Sequence, residues 1–147
     1  MAYLTIINKG PNNWGALTPE LHCVGTAKTR EALIEQASEA IALALEEAPH
    51  EATISSLEQV DAEIRADLPE DYEVVFLEPA PMNPVSVEVE RAIAASGLSY
   101  REVARRMETG HAAISRMTNP FYWGHSVSAL RKLAEVLGLK VELKLTA

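Results

Sequence analysis

Three prolines fall within seven residues, Glu78-Pro79-Ala80-Pro81-Met82-Asn83-Pro84. Each proline fixes its own φ, withholds an amide donor and pushes the residue before it into extended geometry. No helix or central strand can run through such a segment, so an extended, semi-rigid linker over 79–84 separates residues 1–78 from residues 85–147. The two sides also differ in charge. Residues 1–84 carry four Lys/Arg against fifteen Asp/Glu, net −11, whereas residues 85–147 carry nine against six, net +3. The whole-chain value of −8 argues against a polyanionic partner. The split assigns that repulsion to the front half and leaves the back half attracted to phosphate or tolerant of it.

The front half predicts a small α+β domain. Tyr3-Leu4-Thr5-Ile6-Ile7 is β-branched and aromatic and reads as a strand. Gly10-Pro11-Asn12-Asn13 is turn chemistry, so Trp14-Gly15-Ala16-Leu17 returns antiparallel, and Leu21-His22-Cys23-Val24 supplies a third strand after Pro19. Thr29 caps a helix reaching about Glu47, with Leu33, Ile34, Ala37, Ile41, Ala44 and Leu45 inward and Glu31, Glu35, Glu39 and Glu46 on the wetted side. A second helix is expected over 53–67, with Ile54, Leu57, Val60, Ile64 and Leu68 inward and Pro69 as its stop. Tyr72-Glu73-Val74-Val75-Phe76-Leu77 is a last strand. This order suits a small antiparallel sheet with helices on one face.

The back half predicts helices. One runs over 86–96 with Val89, Ala92 and Ile93 inward, and Gly97 stops it. Ser99 caps a short helix whose Val103 and Met107 form an apolar stripe, with Ala104 where a second helix could cross closely. Gly110 caps the next helix, with Ala113, Ile114 and Met117 inward. Two short helices on a tight turn make either a helix-turn-helix, whose second helix can enter the DNA major groove, or an ordinary helical hairpin. For DNA reading, His111 and Ala112 occupy the first turn of the second helix, Ser115 lies one turn on, and Arg116 can reach guanine or phosphate. Arg105 and Arg106 read as a solvated face. The loop over 119–125 is rich in aromatics, with His125 packing around Trp123, and Ser126 caps a final helix carrying Leu130, Leu133, Ala134 and Leu137 up to Gly138. Beyond it Val141, Leu143 and Leu145 alternate with Lys140, Glu142 and Lys144, the pattern of a strand buried on one face. Such a strand needs a neighbour, and the same strand of a second copy would make a two-fold dimer.

Several chemistries are disfavoured. His22, His50, His111 and His125 lie in separate segments without metal-ligand spacing, and Cys23 is the single cysteine, read as a small buried hydrophobe. No metal, no cofactor and no catalytic residue is expected. The acids cluster on helix faces instead of pairing on strands, and no Gly-rich phosphate loop is present, so the chain is not expected to be an enzyme. No apolar run reaches 18 residues and no basic-then-apolar leader opens the chain, which predicts a cytoplasmic protein with no membrane partner.

Two resemblances add to this reading. Residues 97–119 resemble the repressor-type helix-turn-helix of the XRE class in Leu98-Ser99, Ala104 at the crossing, Ile114-Ser115-Arg116 and Asn119. The resemblance implies that Ser99, Tyr100, Arg101 and Asn119 lie near the phosphate backbone. It departs at Glu108, where that class usually has Gly, so a left-handed backbone there would carry roughly 1 kcal/mol of strain. Residues 3–47 resemble the N-terminal domain of HicB antitoxins: a strand, a turn, Trp14-Gly15-Ala16, then Pro19-Glu20-Leu21 where that family has Pro-Asp-Leu, Val24-Gly25-Thr26, and the Thr29-Arg30-Glu31-Ala32 helix start. What this implies is a truncated RNase H-like fold that binds and silences a small basic mRNA-cleaving toxin, HicA.

The stripe of Glu31, Glu35 and Glu39 is either a solvated surface or an attractor for that basic toxin, raising association rate more than affinity. The expected function is an antitoxin that occludes its toxin and represses its own operon as a dimer or as a tetramer of paired dimers, on half-sites about 34 Å apart. A ligand-responsive transcription regulator without a toxin partner, and an enzyme with an appended helix-turn-helix, are the alternatives.

Overall fold

The computed structural model describes residues 1–147 as two compact units, Met1–Pro81 and Met82–Ala147. The first unit contains β1 (Tyr3–Lys9), β2 (Trp14–Thr18), β3 (Cys23–Ala27), α1 (Arg30–Glu47), α2 (Ala62–Ala66) and β4 (Tyr72–Leu77). The strands form one antiparallel sheet in the order β3-β2-β1-β4, with Ile6 opposite both Leu17 and Val74. β1 is central, and every residue from Tyr3 to Ile7 is buried.

Strand alternation puts Tyr3, Thr5 and Ile7 on one face and Leu4 and Ile6 on the other. On the first face Tyr3 packs with Ala37 and Ile41 of α1 and with Leu77. The Thr5 and Thr18 hydroxyls hydrogen-bond to each other at 2.8 Å beneath that cover. On the second face Leu4 and Ile6 pack with Val60, flanked by Ile54, Leu57, Ile64 and Leu68. The expectation of helices on one face is therefore corrected. A strand that is apolar on both sides requires cover on both sides, and each fully buried Leu or Ile is worth about 1.5–3 kcal/mol.

The continuous helix expected over 53–67 is also absent. Its inward residues do meet the sheet, but through a single 3-10 turn at Leu57–Gln59 and the short α2. Gln59 Oε1 accepts the Ser55 and Ser56 amides at 2.7 and 3.1 Å, which closes the first turn. Val60 is then extended, and Asp61 starts α2 afresh by accepting the Glu63 amide. Side chains that bond their own backbone compete with helix propagation. The third strand begins at Cys23 instead of Leu21, because Pro19–Leu21 form a 3-10 turn that ends in left-handed His22 (φ 54°).

The second unit contains α3 (Pro84–Ser96), α4 (Tyr100–Arg106), α5 (His111–Thr118) and α6 (Val127–Leu137). Val89, Ile93, Val103, Ala104, Met107, Ile114, Met117 and Leu133 form its core. Residues 139–147 adopt no strand, contrary to the alternating pattern, since a strand with no neighbour leaves its ladder unmade.

The 79–84 segment is held at both ends. The Ala80 amide donates to Ser38 O at 2.9 Å within the first unit, and the Asn83 amide donates to Pro120 O at 2.6 Å within the second. Asn83 is buried and is the N-cap of α3, its Oδ1 accepting the Val85 amide at 3.0 Å, while Pro84 fills the first helical position, where no amide is needed. Asn83 Nδ2 donates to Tyr122 O at 3.0 Å and to His125 Nδ1 at 3.3 Å. His125 Nε2 must carry the proton, because it lies 2.8 Å from Met117 O, which only accepts. The fully buried Ser86 hydroxyl is 3.3 Å from the same nitrogen. His125 thus ties the start of α3 to the end of α5 and sets its ring 5.1 Å from that of Tyr122, tilted by 57°. Trp123, expected at the centre of this loop's packing, is 59% exposed.

Candidate nucleic-acid interface

Ser99 opens α4 by accepting the Glu102 amide on Oγ at 3.1 Å. Val103, Ala104 and Met107 are buried, and the small Ala104 lets α5 cross closely with Ile114 and Met117 inward. α4 closes through two reverse hydrogen bonds, Glu108 amide to Arg105 O at 3.1 Å and Thr109 amide to Ala104 O at 2.9 Å, with Glu108 left-handed (φ 57°). That pair of bonds is the Schellman arrangement, whose left-handed position favours Gly. Glu108→Gly is therefore expected to stabilise the second unit by about 1 kcal/mol, raising its thermal midpoint by roughly 4–8 °C. A lowered midpoint in a calorimetric scan would show that the Glu108 side chain contributes more than its backbone strain costs.

After Gly110 sets the extended N-cap geometry, α5 presents His111, Ala112, Ser115 and Arg116, all exposed. His111 Nδ1 lies 3.3 Å from Ser115 Oγ. Tyr100, the first residue of α4, sets its ring 6.0 Å from that of His111, which brings the start of α4 beside the start of α5. Burial, followed by a hydrogen bond to Glu90, pushes the Tyr100 phenol up, so the hydroxyl stays protonated and donates to that carboxylate. Asn119 ends α5, and its Oδ1 accepts the Phe121 amide at 2.9 Å. Ser99, Tyr100, His111, Ser115 and Asn119 therefore all have intramolecular partners, while Arg101 and Arg116 are exposed and make no ion pair.

Arg105 and Arg106 differ from them. Both converge on Glu102, which takes Arg105 Nε and Arg106 Nε at 2.9 Å. The hydrogen bonds from Arg105 and then Arg106 hold the Glu102 carboxyl at about 2. The single carboxylate offsets one of the two guanidinium charges and holds both side chains against α4, which leaves them less free to reach a phosphate or a base. The i,i+3 and i,i+4 spacing of Glu102 to these arginines is written in the sequence, and it signals this pairing. Of the four arginines near the helix pair, Arg101 and Arg116 are the ones without a carboxylate partner.

Neither protein-family models nor curated proteins match this chain.

In the first unit Glu31, Glu35 and Glu39 fall on one stripe of α1, the first two exposed and Glu39 half-buried. Burial and then the charge of Glu35 push the Glu39 carboxyl up. Arg30, next to the stripe, is engaged by Glu73, which leaves the stripe uniformly anionic. Cys23 is half-buried, its thiol pushed up by burial and directed at the Leu21 and Ala40 carbonyls, so it behaves as a packing group and not as a nucleophile. No group of three His, Cys, Asp or Glu side chains could hold a metal ion, and no helix is long and apolar enough to cross a membrane.

The most strongly tied acid in the unit is Glu20, with a side chain only 4% exposed. It accepts from Thr53 amide and Oγ1 at 2.6 Å, His50 Nε2 at 2.9 Å and Ile54 amide at 3.2 Å. Nothing near Glu20 in the sequence signals a role for it, because its partners are distant along the chain. Its job is to fasten the 50–54 segment, some thirty residues away, to the turn at Pro19–Leu21.

Proposed function

We propose that this chain is an antitoxin of the HicB type. Residues 1–78 engage a small basic ribonuclease and occlude it, and residues 85–147 form a repressor-type helix-turn-helix that binds operator DNA as a two-fold homodimer. The observation that carries the reading is the α4-turn-α5 geometry: a second helix whose first turn and Arg116 are open to solvent beside the N-terminus of α4, in the unit with net positive charge. The antiparallel β1-β2-β3 meander followed by α1 supports the truncated RNase H-like assignment of the other unit. Its net −11 over residues 1–84 suits a cationic partner, with Glu31, Glu35 and Glu39 steering the encounter. Coupling both jobs in one chain lets toxin level alter operator occupancy, because toxin can favour one assembly of the antitoxin over another.

The regulator alternative needs a pocket with convergent polar groups. The groove of about 360 Å³ on the Ile6 face is lined mainly by apolar residues such as Leu17, Ile64 and Leu68, with Asn8 and Asp67 as its polar side chains. Titrating the full-length protein with DNA from upstream of its own gene is expected to give a sequence-selective complex that weakens steeply with salt. Co-expression with the adjacent basic open reading frame is expected to give a co-purifying complex. Absence of any selective DNA complex at low salt removes the repressor assignment, and absence of a co-purifying partner removes the antitoxin assignment.

A further inference from the structure

The segment after α6 is anchored at its start and open beyond it. Gly138 is left-handed (φ 70°), and its amide and that of Leu139 return to Glu135 O and Ala134 O at 3.2 and 2.8 Å. From there Val141, Leu143 and Leu145 are 37%, 76% and 90% exposed. The segment borders a groove of about 430 Å³ floored by Val89 and Ala92 of α3 and by Leu133 and Leu137 of α6. A stretch with one apolar face, no ladder partner and an apolar groove beside it is incomplete alone, and two strands need a packing surface to persist.

The charge pattern of the segment selects the occupant. In an antiparallel pair, directly opposed residues share a face, so apolar must meet apolar and charged must meet charged. Self-pairing centred on Glu142 would set Glu142 against itself and Lys140 against Lys144, so every charged contact repels. Self-pairing centred on Val141 matches Lys140 with Glu142, but it sets Leu145 against Leu137, inside α6, and Lys144 against the left-handed Gly138. Centring on Leu143 opposes Leu143 to itself, Val141 to Leu145 twice, Glu142 to Lys144 twice and Lys140 to Thr146. Every apolar side chain then has an apolar mate, and both charged pairs attract.

We infer that the occupant is a second copy of this chain, its residues 139–147 paired antiparallel with ours about a two-fold axis at Leu143, with the apolar side of the ribbon over the α3-α6 groove. The inference rests on the homodimer of the proposed function and specifies its contact; it uses neither the toxin nor the operator.

Full-length protein carrying Cys23→Ser, which removes the single native cysteine, tests the register. Leu143→Cys is expected to form a covalent dimer on mild oxidation, since opposed Cβ atoms lie about 4.5–5.5 Å apart, near disulfide reach. Val141→Cys alone is expected not to cross-link, whereas a mixture of Val141→Cys and Leu145→Cys chains is expected to. By sedimentation, Lys144→Glu weakens the dimer about tenfold, the double change Glu142→Lys/Lys144→Glu restores it, and Lys140→Glu changes it little. A parent chain that stays monomeric at every concentration overturns the dimer itself. A parent dimer without the Leu143→Cys cross-link, or one as sensitive to Lys140→Glu as to Lys144→Glu, overturns the register and leaves the dimer standing.

Discussion

Glu20→Ala is expected to destabilise the Met1–Pro81 unit by about 2–4 kcal/mol, and Glu20→Gln by nearly as much. The carboxylate takes four hydrogen bonds on two oxygens, from Thr53 amide and hydroxyl, His50 and the Ile54 amide. Alanine leaves those donors without their acceptor and frees the strap that carries Ile54, Leu57 and Val60 over the second face of the sheet. Glutamine keeps one acceptor oxygen but turns an NH₂ group toward donors. The pH dependence has a definite sign. Burial pushes the Glu20 carboxyl up, but the hydrogen bonds from Thr53, His50 and Ile54 outweigh it and hold the group at about 2, below its ordinary 4.5. A lowered folded-state value stabilises the fold fully above pH 4.5, and this stabilisation is lost as the pH falls toward 2. Urea unfolding at pH 7 and at pH 3 reads this: the gap between wild type and Glu20→Gln is wide at pH 7 and narrows at pH 3. Equal midpoints for the two proteins at pH 7 would show that the strap is held by its apolar contacts alone.

Arg116→Ala is expected to reduce discrimination between operator and unrelated DNA by about 10- to 100-fold, the range for losing one bidentate guanine contact. Arg116 is the exposed cation on the face of α5 that presents His111, Ala112 and Ser115, and no carboxylate neutralises it. If it contacts phosphate instead, affinity falls equally for all sequences and the salt slope drops by about one. Arg105→Ala and Arg106→Ala are expected to have small effects on either measure, because both side chains are committed to Glu102. Competition gel shifts on operator and scrambled duplexes at two salt concentrations separate these results. Wild-type selectivity in Arg116→Ala, or its loss in Arg105→Ala, would assign the reading face to α4 and contradict the geometry.

Features carried by neighbouring residues were legible from the chain alone. The caps Thr29, Ser99 and Ser126, the stops Gly97 and Gly138, the left-handed strain at Glu108 and the inward stripe Val103, Met107, Ile114 and Met117 each depend on residues within one or two turns. Elements joined by contacts distant in sequence were not. The 53–67 stretch has helical apolar spacing, yet it lies as a broken strap because the second face of β1 demands cover and because Gln59 and Asp61 bond their own backbone. Asn83 reads as linker, yet it is buried by Tyr122 and His125, which lie about forty residues on.

Local chemistry settled where α1, α4, α5 and α6 begin and end, since capping and turn geometry act between near neighbours. Only the tertiary structure decided which faces of the sheet are covered and what Glu20 and His125 hold. Each of those depends on groups that meet only after the chain has closed on itself.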